Sequence, residues 1–230
     1  MRLIALFISC IFTFSLFAQR GKNGNKTVSI TESVNAYTTL TINASIGATS
    51  LSVTNSNLSA NFGNNLSAGD LLLIIQMQGA SMNATCANPP FCTFGLPVDT
   101  SWGSILNYNN CGNYEFLEVA SVPNNTTINL NCALTKNYTA SGKVQVIRVP
   151  RFNTLTVNNG GTINSPAWNG STGGVVAIEV LGNTVINNGG SINVSALGFR
   201  GGTTESQSTF GAGQFARGDG AIAFGGVLAV

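Results

Sequence analysis

Short apolar runs broken by Gly, Asn and Ser carry the pattern of this chain, which predicts strands. Tyr37 to Ile42, Ser50 to Val53, Asp70 to Gln76, Glu115 to Val119, Thr126 to Leu130 and Lys143 to Val149 are β-branched or aliphatic stretches of strand length bounded by turn residues. In the last of these, Val144 and Val146 alternate with Lys143 and Gln145, the period of a half-buried strand. Further on the sequence repeats itself: Asn158-Asn159-Gly160-Gly161-Thr162-Ile163-Asn164 returns as Asn187-Asn188-Gly189-Gly190-Ser191-Ile192-Asn193, an offset of 29 positions. Each copy follows a short β-branched run, Leu155-Thr156-Val157 or Thr184-Val185-Ile186, so each reads as strand, turn, strand. Two architectures fit: a hairpin, or a corner that carries the chain onward around a parallel coil. The intervening apolar run Val175 to Val180, bounded by Gly173-Gly174 and Gly182, has the continuous hydrophobicity of a strand on a solenoid face. The expected fold class is all-β: a small roll- or barrel-like head leading into a short right-handed parallel β-helix, then a Gly-rich tail.

The amino terminus changes the picture of where the protein works. Met1-Arg2 and the apolar run from Leu3 to Phe17, with Ala18 before Gln19, form a signal peptide over residues 1–18. That run is shorter than the roughly 20 residues a membrane-spanning helix needs, so no transmembrane span is expected in the mature chain. A secreted or outer-surface location follows. Composition agrees with an all-β reading: 8% of residues are charged, 27 are Gly and none is His, which leaves little for solvated amphipathic helices. The net charge of +2, spread along the chain, gives no basic footprint for nucleic acid.

Between signal and repeat lies a β-rich head, expected over residues 19–150, which would cap the first coil of a solenoid over 151–202. The head is interrupted over residues 79–113 by an insertion rich in Pro and poor in period-2 pattern. Cys86, Cys92, Cys111 and Cys132 surround it, and an even number of cysteines in an exported chain predicts disulfides, with Cys86 to Cys92 and Cys111 to Cys132 the favoured pairing. A zinc site is disfavoured, since the cysteines are widely spaced and no His accompanies them.

Catalytic chemistry finds few groups. Without His, the Ser-His-Asp and Cys-His machineries are excluded. Glycosidases need two clustered carboxylates, whereas beyond Pro150 there are only Glu179, Glu205 and Asp219, well apart in sequence. Glu179 reads as a solvated carboxylate on a strand face and Asp70 as a turn residue. The glycine-rich stretches around Gly198 to Gly202 and Gly211 to Gly213 lack the strand-before, helix-after context and the Gly-Lys-Ser/Thr of a phosphate loop. No catalytic residue, metal ligand or cofactor is assigned, and the chain is expected not to be an enzyme.

The run Ala68 to Gly79, with Gly112-Asn113-Tyr114-Glu115, Arg148-Val149-Pro150-Arg151-Phe152, Ala167-Trp168-Asn169-Gly170 and Gly198-Phe199-Arg200-Gly201-Gly202, resembles the amino-terminal region of large secreted surface proteins of Bacteroidetes-type bacteria. The resemblance implies a β-rich head before a pectate-lyase-like β-helix, an adhesin-like role and export by the type IX secretion route. It carries no catalytic residue.

Two functions from different classes are expected on these grounds. The first is a non-enzymatic structural or adhesin-like surface protein, the amino-terminal part of a larger one, with extracellular glycans or surface proteins as partners. The second is a carbohydrate-binding module or glycan-processing β-helix enzyme, for which Trp168, Trp102, Tyr108 and Tyr114 are the candidate stacking platforms, Trp168 foremost. In the tail over residues 203–230, the uncharged run from Ala221 to Val230 reads as a strand in search of neighbours. It predicts self-association through an uncapped solenoid end.

Overall fold

The computed structural model describes residues 19–82 and 104–199 and the strand Val227–Ala229. The signal peptide, Cys86, Cys92, Trp102 and most of the Gly-rich tail lie outside the described residues. In chain order the strands are β1 (Asn25–Val28), β2 (Thr31–Ser33), β3 (Ala36–Thr39), β4 (Ser50–Ser52), β5 (Leu71–Gln76), β6 (Ser81–Met82), β7 (Ile105–Asn107), β8 (Tyr114–Asn124) and β9 (Thr127–Leu130). They continue with β10 (Val144–Val149), β11 (Arg151–Phe152), β12 (Thr154–Val157), β13 (Thr162–Asn164), β14 (Val176–Val180), β15 (Thr184–Ile186), β16 (Ser191–Ile192) and β17 (Val227–Ala229). Among the described residues the one helical piece is a single 3-10 turn, Ala140–Gly142.

The repeat builds a parallel β-helix. Its three faces are the sheets β1-β12-β15, β2-β13-β16 and β11-β14-β17, all paired in parallel, which rules out the hairpin. Leu155 pairs with Thr184 and Thr162 with Ser191, so the spacing of the repeat is one turn of the helix. The two glycines of each Asn-Asn-Gly-Gly corner have different causes. Gly160 and Gly189 take φ of +79° and +84°, a region that costs other residues strain. Gly161 and Gly190 lie against the coil beneath: a Cβ there would stand 2.4 Å from Val28 O and 2.7 Å from Val157 O. Inside, Val28, Leu155, Val157, Ile163 and Val176 form the apolar core of the coils.

Residues 25–33 correct the expected domain division. The sequence pattern puts them in the head, yet β1 pairs with β12 and β2 with β13, so they form two faces of the first coil. The head is therefore an excursion of the chain within the first coil, between β2 and β11, the strand beneath β14 on the third face. It is one antiparallel sheet in the order β3-β10-β5-β8-β9-β4, which curls until the bridge between Leu40 and Val53 joins its two edges. Leu51, Leu72, Ile74, Val119, Ile128, Val144 and Val146 fill the inside of the roll. The opposite face of β5 and β10, with Leu73, Ile147 and Val149, packs on Trp168, Val175, Ala177 and Phe199 of the β-helix. β10 is buried on both sides, so its two polar residues, Gln145 and Arg148, have to find partners inside the fold.

Candidate functional site

The seam where the head meets the β-helix gathers most of the buried polar chemistry. Along the segment 173–177, alternate residues turn their peptide groups towards the head, as in any extended chain. No strand meets them there; three side chains do. Gly173 N–H donates to Gln145 Oε1 at 2.8 Å, and Gln145 Nε2 donates to Gly173 O at 3.1 Å. Tyr37 Oη donates to Val175 O at 2.6 Å. Ala177 N–H donates to Asn35 Oδ1 at 3.1 Å, while Asn35 Nδ2 donates to Ala177 O at 2.7 Å and to Arg148 O at 3.0 Å. An amide side chain offers an acceptor oxygen and an NH2 with two donor hydrogens, so Asn35 and Gln145 each replace a peptide unit of a missing strand, and Asn35 has a second hydrogen for Arg148 O. Burial, only partly opposed by a hydrogen bond to Ser33, pushes the Tyr37 phenol well above its ordinary range, which keeps its proton in place for donation.

Beside this ladder lies a network of ions. Arg148, on the inward face of β10, closes the mouth of the roll: Nη1 donates to Leu58 O at 3.1 Å and to Asn64 O at 2.8 Å, and Nη2 to Asn64 Oδ1 at 2.9 Å. Its guanidinium carbon stands 4.0 Å from the centre of the Phe62 ring, and Nη2 pairs with Asp70 Oδ2 at 2.8 Å. Burial lowers the Arg148 pKa, and the charge and hydrogen bond of Asp70 oppose that shift. Lys22 approaches the other oxygen of Asp70 at 2.8 Å. Arg151, one residue past Pro150, donates from Nε to Glu179 of β14, from Nη1 to Glu118 of β8, and to Gly69 O at 3.1 Å. Burial opposes its charge, but the bonds to Glu179 and Glu118 outweigh that and raise its pKa. Arg20 adds a second contact to Glu179 at 3.0 Å.

Several sequence expectations change here. Glu179 is 8% exposed and ion-paired to two arginines, where a solvated strand-face carboxylate was expected. Gln145, expected to face water by alternation with Val144 and Val146, is fully buried because the β-helix covers that side of β10. Asp70 does act as a turn residue, accepting from Ser67 N at 2.8 Å, but it also holds Arg148 and Lys22. Trp168 is 5% exposed, its ring edge-on to Phe199 with centroids 4.6 Å apart. It is a wedge between head and coils, with no open face for a sugar. Tyr108 and Tyr114 do remain exposed, at 55% and 42%, on either side of the turn that ends the insertion, and the Lys136 ammonium stands over Tyr114 at 4.9 Å. The expected bond between Cys111 and Cys132 is absent: both are free thiols, Cys111 Sγ donating to Met77 O at 3.2 Å and Cys132 exposed. Each sits at a different turn of the head, so their sequence proximity around the insertion did not translate into contact.

A cleft of about 150 Å³ opens on the same seam, lined among others by Asn23, Lys26, Asn61, Phe62 and Phe152. It falls below the several hundred Å³ of a small-molecule site, and Lys26 is already bound to Glu32 at 2.7 Å. Every described carboxylate is engaged: Glu32 by Lys26, Asp70 by Arg148 and Lys22, Glu115 by Thr135, and Glu118 and Glu179 by Arg151. Among the described residues no cluster of three or more His, Cys, Asp or Glu side chains could hold a metal, and no helix is long and apolar enough to cross a membrane.

Fold and seam together define an all-β protein, a short parallel β-helix carrying a rolled antiparallel head. Among solved structures it is similar to the Gp54 tailspike of Acinetobacter baumannii bacteriophage AP22, solved in complex with A. baumannii capsular saccharide, with 18% identity and a TM-score of 0.29 over 69% of this chain and 23% of the tailspike. It is also similar to the tailspike gp61 of Pseudomonas phage phi297, 11% identical with a TM-score of 0.29, over 70% of this chain and 25% of that one. For the tailspike gp49 of Pseudomonas phage LKA1 the identity is 16% and the TM-score 0.29, over 71% of this chain and 28% of the tailspike. The chain thus spans about a quarter of the length of these tailspikes. No family model and no curated protein matches it.

Proposed function

We propose that this chain is a non-enzymatic, adhesin-like surface scaffold whose β-helix holds the rolled head in one fixed orientation. The observation that carries this reading is the use made of its polar side chains. Of the five described carboxylates, four are held by cations and Glu115 by Thr135, and three of them, Asp70, Glu118 and Glu179, help bind the chain's two parts to each other. Export through the signal peptide, and the type IX route that the sequence resemblance implies, fit a protein working outside the cell. The test incubates the full mature chain with a panel of bacterial capsular and plant polysaccharides and follows reducing ends. No depolymerisation is expected; release of oligosaccharides, abolished by Glu179→Gln, would overturn the proposal.

A second reading, a glycan-binding module, is favoured by the exposed rings of Tyr108 and Tyr114 at the base of the insertion. A glycan array separates it from a scaffold that binds protein surfaces: selective binding lost in Tyr108→Ala, with an unchanged circular dichroism spectrum, supports the module.

A further inference from the structure

The two ends of the β-helix differ in a way that assigns them different roles. At the first coil, β1 and β2 carry Lys26 and Glu32, ion-paired at 2.7 Å, and charges on an edge strand discourage pairing with another strand. At the third coil, β15 and β16 carry no charge. Asn187 N–H reaches Val157 O and Asn193 N–H reaches Ile163 O, and Leu155 N–H reaches Asn183 O. With that parity, the peptide groups of Thr184, Ile186 and Ile192 point away from the coil beneath, towards the open edge. Thr184 and Ile186 stand in register above Leu155 and Val157, and Ile192 above Ile163, all three of which are buried core residues. Ile186 is nonetheless 49% exposed. The apolar core therefore runs up to this edge without a lid from the described residues.

Two further observations say what fits there. The corner side chains form a ladder: Asn158 Nδ2 donates to Ser29 Oγ at 3.0 Å and Asn187 Nδ2 to Asn158 Oδ1 at 3.1 Å, while Thr162 and Ser191 hydroxyls meet at 3.0 Å. Asn187 and Ser191 are the last members of these two ladders among the described residues. On the third face, β17 pairs with β14 in parallel and so completes the third coil, which puts the chain that follows it in position to run above β15. From these we propose, beyond the scaffold reading, that the edge of β15 and β16 is an interaction surface for one further parallel β-solenoid coil. Its partner chemistry is strand, Asn-Gly corner, strand, with an Asn above Asn187, Ser or Thr above Ser191 and aliphatic side chains above Ile186 and Ile192.

The register of β17 supplies the experiment. Val176 pairs with Val227, so the position after Val230 corresponds to Val180. The full chain is extended there by a copy of residues 180–195, which places a coil of the required chemistry at high effective concentration. Hydrogen exchange of the Thr184, Ile186 and Ile192 amides is compared in the extended chain, the natural chain and an extended chain carrying Ile186→Pro, a substitution that removes only an outward N–H. Slowing of about tenfold or more in the extended chain, lost at Thr184 in the Pro variant, is the expected result. Equal exchange in extended and natural chains would overturn the proposal. So would protection already present in the natural chain: if it rises with protein concentration the occupant is a second copy, and if it does not the chain covers its own edge.

Discussion

Ala177 has both of its peptide groups bound by one side chain, the amide of Asn35, which lies 142 positions away in sequence. Asn35 is 1% exposed and also holds Arg148 O, so it joins the first coil, the head and the third face of the β-helix at one point. Asn35→Leu keeps the volume but strands the N–H and C=O of Ala177 and the C=O of Arg148 in an apolar site. Since each buried unsatisfied group costs about 1–3 kcal/mol, we expect a loss of about 3 kcal/mol in urea unfolding, with partial rescue by Asn35→Gln. A loss below about 0.5 kcal/mol would mean that the seam opens to water at no cost.

Arg148 and Asp70 form a pair with side-chain exposures of 1% and 3%. Removing one partner leaves the other buried, so Arg148→Met is expected to cost about 3–5 kcal/mol. Replacing both, as Arg148→Met with Asp70→Leu, should recover much of that loss, because the desolvation penalty disappears with the charges. Thermal unfolding of the three variants checks the order, and a double variant no better than Arg148→Met would refute it.

Trp168 and the tyrosines should separate cleanly. Trp168→Ala removes a buried ring that packs on Phe199 in the cluster that includes Leu73 and Ile147, and is expected to destabilise by about 3–5 kcal/mol. Tyr108→Ala, at an exposed position, should stay within about 0.5 kcal/mol. Chemical denaturation followed by far-ultraviolet circular dichroism measures both, and equal losses would contradict the burial described.

The paired glycines of one corner give an internal comparison. Gly160 meets nothing within 4 Å of an added Cβ but has φ of +79°, so Gly160→Ala is expected to cost about 1 kcal/mol through backbone strain. At Gly161 the added Cβ would stand 2.4 Å from Val28 O, and the coil beneath must shift to admit it. Gly161→Ala should therefore be the more damaging, by at least about 1 kcal/mol. The reverse order would show that corner conformation, and not the spacing between coils, sets the need for glycine.

The sequence by itself determined the coil and most of the strands. Asn-Asn-Gly-Gly marks a corner because positive φ and close approach to the next coil are demands made within a few residues, and the run Val175 to Val180 is apolar because a solenoid strand buries its length. Only the tertiary structure decided where distant segments go. β1 and β2 bear no Asn-Asn-Gly-Gly signature, and their partners β12 and β13 lie more than a hundred residues later, so nothing local marks them as the first coil. For Asn35, Gln145, Glu179 and Trp168 the same reason applies more sharply. A polar or aromatic side chain on a strand looks solvated until another sheet covers it, and here the cover is the meeting of head and β-helix, a contact made by residues with no sequence pattern in common. Covered, such groups must find partners, and that requirement turned amides and carboxylates into the fastening of the fold.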